Sequence, residues 1–190
     1  EGKIPYGQHL QLKRIRVENS MQDRMMIRGT VRTGDGKECR KRALNDIVIS
    51  RAGFSRLIGL DVYVNGSFLN AYEGDGIIIS TPTGSTGYNL SAGGPIVDPM
   101  ARLMIITPVC PHSLTSKSIV LPSDAKVSIE IAKKRKTQDT EAIVSFDGGN
   151  DFELAAGDVL DICVSQRTTQ LVKASDVNFY EILRNKLGGK

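Results

Sequence analysis

Cysteine is scarce in this 190-residue chain: Cys39, Cys110 and Cys163 are all it has, odd in number and far apart. That spacing excludes a paired zinc-ligand set and a disulfide framework, and leaves buried thiols in a reducing, cytoplasmic compartment as the expectation. No apolar run approaches the roughly 18 residues that a membrane helix needs. The chain also lacks a G-x-x-x-x-G-K-[ST] phosphate loop and any G-x-G-x-x-G opening a long helix. No Ser-His-Asp order, His-Glu metal spacing or pair of catalytic carboxylates can be assembled, so no catalytic residue and no metal ligand is assigned. Charge imbalance is small: 25 Lys+Arg against 21 Asp+Glu leaves a net +4. That excess suits a phosphate-bearing small molecule better than nucleic acid or a membrane surface.

What is present is β-structure. Hydrophobic residues at 40% and charged residues at 24% are ordinary for a globular domain of this length, which can bury a real core. Short β-branched runs separated by turn signals dominate. "MMIRGTVR" (25–32) reads as a strand, "TGDGK" (33–37) as a hairpin turn and "ECRKRALNDIVISR" (38–51) as its long partner. "LDVYVNGSFLNAY" (60–72) repeats the design around Asn65-Gly66. Further strands are expected at 77–80, 103–107, 118–121, 126–131, 142–146, 159–164 and 169–172. Without long crossover helices among them, they predict a mostly β fold, an antiparallel sandwich-like domain over residues 1–174. A C-terminal helix is expected over 175–190, capped by Ser175 or Asp176 and stopped by Gly188-Gly189, with one more helical turn at 89–92.

The stretch "GDGIIISTPTGSTGYNLSAGGPI" (74–96) follows an apolar strand with small hydroxyl residues. Small side chains let a backbone approach a ligand, and hydroxyls offer uncharged hydrogen bonds, so a ligand loop competes with an ordinary flexible loop. Asp75 is either a turn residue or a carboxylate aimed at a ligand. Asn45 and Asp46 put polar side chains on opposite faces of an apolar strand, so one of them should point inward and need a partner. His112 in "CPHSLTSK" is structural or a ligand contact, "DGGND" (147–151) reads as a tight turn, and "KKRK" (133–136) as a solvated hairpin tip.

"ALND" at 43–46, the 75–96 motif, "PHSL" at 111–114 and "DGG" at 147–149, in that order, resemble the C-terminal domain of NAD kinase. The resemblance covers the chain from about residue 40 onward. It implies phosphoryl transfer from ATP, or from polyphosphate, to the 2′-hydroxyl of the adenosine ribose of NAD, with Mg2+ or another divalent cation. It implies contacts to the dinucleotide from Asn45 and Asp46, and a pocket shaped by Thr83, Thr86, Gly87, Tyr88 and Ser91. Asp75 joins the same site, often across a subunit boundary in a homo-oligomer (dimer or tetramer), and His112 is expected nearby. Gly87 stands where the family usually has alanine, Glu73 where many members have a basic residue, and Gly149 where glutamine is usual. The family's Gly-Gly-Asp-Gly motif does not occur, so the chain is expected to be the dinucleotide-binding half of a longer enzyme, its last helix packing on the missing domain. A non-catalytic NAD-binding β module and a lipid kinase of the diacylglycerol kinase type, with an apolar slot for acyl chains, are the alternatives.

Overall fold

A computed structural model describes residues 21–53, 57–113, 116–133, 142–172 and 177–187. In chain order the first strands are β1 (Met21–Arg32), β2 (Glu38–Ala43), β3 (Asp46–Arg51), β4 (Ile58–Val64), β5 (Ser67–Gly74) and β6 (Gly76–Ser80). A 3-10 turn (Thr83–Thr86) and a one-turn helix α1 (Tyr88–Ser91) follow. Then come β7 (Leu103–Val109), β8 (Ile119–Pro122), β9 (Val127–Ile131), β10 (Ala142–Phe146), β11 (Gly149–Leu154), β12 (Val159–Val172) and helix α2 (Phe179–Leu187).

The strands form two six-stranded sheets, β2-β1-β12-β9-β4-β5 and β11-β10-β3-β6-β7-β8. The hairpins and the β10–β3, β3–β6, β6–β7, β4–β9 and β12–β9 pairings are antiparallel. Asn65 (φ 52°) and Gly66 (φ 79°) both take positive φ, the type I′ geometry that their sequence announces. The mostly β, antiparallel expectation holds.

The two sheets read differently in sequence for a physical reason. In the first, β1 and β9 alternate buried and partly exposed residues, as strands with one solvated face do. In the second, β3, β6 and β7 carry near-continuous apolar runs, "DIVIS", "GIIIS" and "LMIITPV". Ile47, Ile49, Ile77, Ile79, Met104 and Ile106 face the shared core, with Leu60, Val62, Val127, Ile129 and Leu160 of the other sheet. Their alternates Val48, Ile78 and Ile105 are buried as well, on the outer face. Something must cover that face, and it is the small-residue segment after β6, with α1 lying against β6.

Several expected boundaries move. The single strand over 38–51 is two strands in different sheets, broken at Leu44-Asn45, so Asn45 sits at a corner and only Asp46 is in a strand. The strands expected at 159–164 and 169–172 are one, β12, while β11 starts inside the segment read as a turn at 147–151. Cys39 and Cys163 are half-buried and Cys110 is exposed, which corrects the expectation of buried thiols; all three are free.

Contacts divide the chain into a large unit, Asp23–Thr169, which holds the core, and a small one drawn from Glu1–Gln22 and Gln170–Lys190. In the small unit α2 is capped by Asn178, whose Oδ1 accepts the Glu181 N–H at 2.9 Å. The caps expected at Ser175, Asp176 and Gly188-Gly189 lie outside the described residues, as does all of the 133–136 basic run except Lys133. Among the described residues no helix is long and apolar enough to cross a membrane.

Candidate functional site

The corner between the sheets is where the site begins. As the chain leaves β2 for β3, the backbone N–H groups of Leu44, Asn45 and Asp46 follow one another through the bend. All three donate to one carboxylate: Leu44 to Oδ2 of Asp147 at 2.8 Å, Asn45 and Asp46 to its Oδ1 at 2.7 and 3.2 Å. Asp147 reaches them from the β10–β11 turn, where it and Gly148 take φ of 51° and 81°. On the other side of the corner, the Leu44 carbonyl accepts the Thr81 hydroxyl at 2.6 Å, and the Asn45 carbonyl accepts the Thr81 N–H at 2.8 Å. Gly84 approaches so closely that a Cβ there would lie 2.2 Å from the Asn45 carbonyl oxygen, so this position admits only glycine.

The hydroxyl-rich segment divides into two sets by what its side chains touch. One set fastens the segment to the sheet. Ser85 Oγ accepts the Val97 N–H at 3.1 Å, while buried Asn89 donates through Nδ2 to the carbonyls of Ser85 and Pro95, both at 3.0 Å. Asn89 Oδ1 accepts the Thr107 hydroxyl of β7 at 2.7 Å. The other set faces out: Thr86, Gly87, Tyr88 and Ser91 are exposed. Thr83 is intermediate, but its Oγ1 is enclosed without a hydrogen-bond partner among the described residues. A buried orphan hydroxyl costs about 1–3 kcal/mol, a cost that a ligand or a water would relieve.

Between the corner, the segment and the turn lies a cavity of about 380 Å3, lined by Asn45, Asp46, Val48, Ser50, Gly87, Tyr88, Ser145, Asp147 and Gly148. It joins residues from three distant stretches that the sequence reading singled out separately. Asn45 is exposed at its edge, and Asp46, with 7% of its surface accessible, forms part of its wall. Burial, helped by the neighbouring Asp147 charge, pushes the Asp46 carboxyl up from 3.8 to about 6. Half-exposed Tyr88 presents its ring. Asn45, Asp46, Ser50, Ser145 and Asp147 bring polar groups to a lining whose surface is otherwise largely apolar.

Two expected residues lie elsewhere. Asp75 precedes β6 at the end remote from the corner: Asp46 pairs with Ser80, five residues further along, a separation of roughly 16 Å at strand rise. Its carboxylate meets Arg51 Nε at 2.8 Å, and its N–H donates to the Val109 carbonyl at 3.0 Å. His112 is exposed and lines a second cavity of about 510 Å3 with Asn70, Tyr72, Glu73, Ser113, Ser116 and Lys117. Thr83, Thr86 and Ser91 belong to the capping segment without lining the first cavity. Sequence reasoning missed Asp147, whose Asp-Gly pair reads as turn chemistry alone, and Arg51, which only the β3–β6 register brings beside Asp75. Among the described residues no three His, Cys, Asp or Glu side chains converge as a cation site.

Comparison with known proteins bears on this geometry. The family described as ATP-NAD kinase C-terminal domain matches residues 44–174. NAD kinase of Lachnoclostridium phytofermentans is 49% identical over 173 residues, covering 90% of this chain and 61% of that protein. NAD kinase of Agathobacter rectalis is 50% identical over 167 residues, covering 88% and 58%. The chain therefore spans about three fifths of the length of these curated relatives. Among solved structures, yeast NADH kinase complexed with NADH superposes with a TM-score of 0.83 at 28% identity, over 88% of this chain and 50% of that one. An NAD kinase from Archaeoglobus fulgidus in complex with ATP gives 0.66 at 26% identity, over 89% and 59%. With well over half of its 190 residues inside the family match, the chain belongs to the ATP-NAD kinase C-terminal domain family.

Proposed function

We propose that this chain is the dinucleotide-binding part of an NAD kinase, which moves the terminal phosphoryl group of ATP, or of polyphosphate, to the 2′-hydroxyl of the adenosine ribose of NAD. The P–O bond to the departing ADP breaks, a P–O bond to O2′ forms, the hydroxyl proton leaves, and NADP results. The observation that carries the reading is the cavity in which Asn45, Asp46, Gly87 and Tyr88 meet. Ionised Asp46 can accept from ribose hydroxyls, the Asn45 amide offers both donors and an acceptor, and the Tyr88 ring can lie against a base. Gly87 and Thr86 leave the backbone open to close approach, and the Thr83 hydroxyl and Ser91 border the same segment.

Asp75, at the far end of the β3–β6 ladder, is assigned to the corresponding site of a neighbouring subunit in a homo-oligomer, a dimer or tetramer, with His112 near it. The distance of Asp75 from Asp46 along this ladder supports the assignment. The chain supplies no cation cage of its own among the described residues, so magnesium is left to the nucleotide phosphates, its usual ligands with water, and to the rest of the full-length protein. Val177 and Tyr180, both exposed, and Leu183 at helical spacing from them make up the face assigned to that remainder.

The test is an assay of the full-length protein with ATP, magnesium and NAD, following NADP; no NADP would sink the kinase reading. By calorimetry, Asn45→Ala and Tyr88→Ala are each expected to lose at least about tenfold in NAD affinity, about 1.4 kcal/mol. Binding like the parent in both would remove the site assignment.

A further inference from the structure

Asp147 does more than line the cavity. Its two carboxylate oxygens hold three successive amides, those of Leu44, Asn45 and Asp46, where the chain passes from one sheet to the other. Its own N–H donates to the Asp46 carbonyl at 3.0 Å, so the turn and the corner are bound in both directions. We propose that Asp147 is the positioning residue for dinucleotide binding: its carboxylate fixes the backbone of Leu44 to Asp46, and with it the direction in which the Asn45 and Asp46 side chains meet the ligand. The proposal rests on the reading of this cavity as the NAD site.

Two observations separate this role from turn formation. With φ at 51° and 81°, residues 147 and 148 form a hairpin turn for which Asn-Gly or Gly-Gly would serve equally well, so the turn by itself does not call for a carboxylate. The carboxylate also carries an electrostatic cost, because its charge adds to burial in raising the Asp46 carboxyl to about 6. The titratable groups facing Asp46 across the cavity are Asp147 from the turn and Tyr88 from α1; Ser145 of the adjoining β10 and Ser80, its partner on β6, are uncharged. Charge-assisted bonds to three successive amides offset that cost.

Asp147→Asn and Asp147→Gly test the proposal in the full-length protein, since both replacements accept positive φ and keep the turn. NAD affinity is measured by calorimetry from pH 5 to 8, and hydrogen exchange is followed at the amides of residues 44–46. Asp147→Gly is expected to lose tenfold or more in NAD affinity and to exchange these amides faster. Asp147→Asn is expected to lose less. In the parent, affinity is expected to rise with pH through a midpoint near 6 as Asp46 ionises, and in Asp147→Asn that midpoint is expected to move down because the like charge is gone. A merely structural turn residue would lower Tm and leave the NAD affinity of the folded protein, measured above pH 7, at the parent's value. Parent-like affinity above pH 7 in both variants overturns the proposal. Unchanged exchange at 44–46 in Asp147→Gly overturns the clamp whatever the ligand, whereas a parent that binds no NAD overturns the reading of the cavity instead.

Discussion

Asp46 is a buried residue that keeps an ionisable group. Burial and the Asp147 charge raise its carboxyl from 3.8 to about 6, so between those values the folded protein holds a proton that the unfolded chain has released. Stability from this group is therefore full below about pH 4 and falls as pH rises towards 6, by on the order of 3 kcal/mol. Denaturant unfolding at pH 4 and pH 7 is expected to show that loss in the parent and a flatter profile in Asp46→Asn; equal slopes would contradict it. The pair Asn45-Asp46 was legible as polar residues in an apolar run. Which of them is buried was not legible, because it depends on the break at Leu44-Asn45, and that break depends on an acceptor a hundred residues away.

The segment from Thr81 to Val97 looks in sequence like a loop, since its composition is that of one. In the fold it is a packed cover, because β3, β6 and β7 are apolar on both faces and their outer residues Val48, Ile78 and Ile105 need shielding. The continuous runs in those strands carried that information, as doubly buried strands do. What sequence could not divide was the hydroxyl set, in which Thr81, Ser85 and Asn89 bind the protein while Thr86, Tyr88 and Ser91 face outward. Asn89 ties the cover to β7, and Asn89→Ala strands the Ser85 and Pro95 carbonyls. That substitution is expected to cost about 2–4 kcal/mol in denaturant unfolding, and to weaken NAD binding because Tyr88 rides on the same helical turn. A stability within 0.5 kcal/mol of the parent, roughly the scatter of a surface substitution, would show that the cover is held by other contacts.

Among the described residues there is a cavity at the corner and another beside His112, and the chain spans only about three fifths of its curated relatives. Phosphoryl transfer is mostly positioning and charge stabilisation around phosphates, and among the described residues no cluster of carboxylates and imidazoles serves that purpose. The 190-residue chain alone is therefore expected to bind NAD more weakly than the full-length protein and to form no NADP from ATP and magnesium. NADP formation by the isolated chain would place the phosphate machinery within these residues.

From composition and pattern alone came the antiparallel β architecture, the Asn65-Gly66 hairpin, the apolar strand before the small-residue stretch and the stretches that bear the family's motifs. These are local properties: strand periodicity, turn chemistry and runs of small residues are written within a few neighbouring positions. The meeting of Asn45, Asp46, Tyr88 and Asp147 around one cavity, the parting of Asp75 and His112 from them, and the raised Asp46 carboxyl were decided by the folded molecule. Each depends on the register of paired strands and on burial between segments far apart in the chain, and no residue's immediate neighbours encode either.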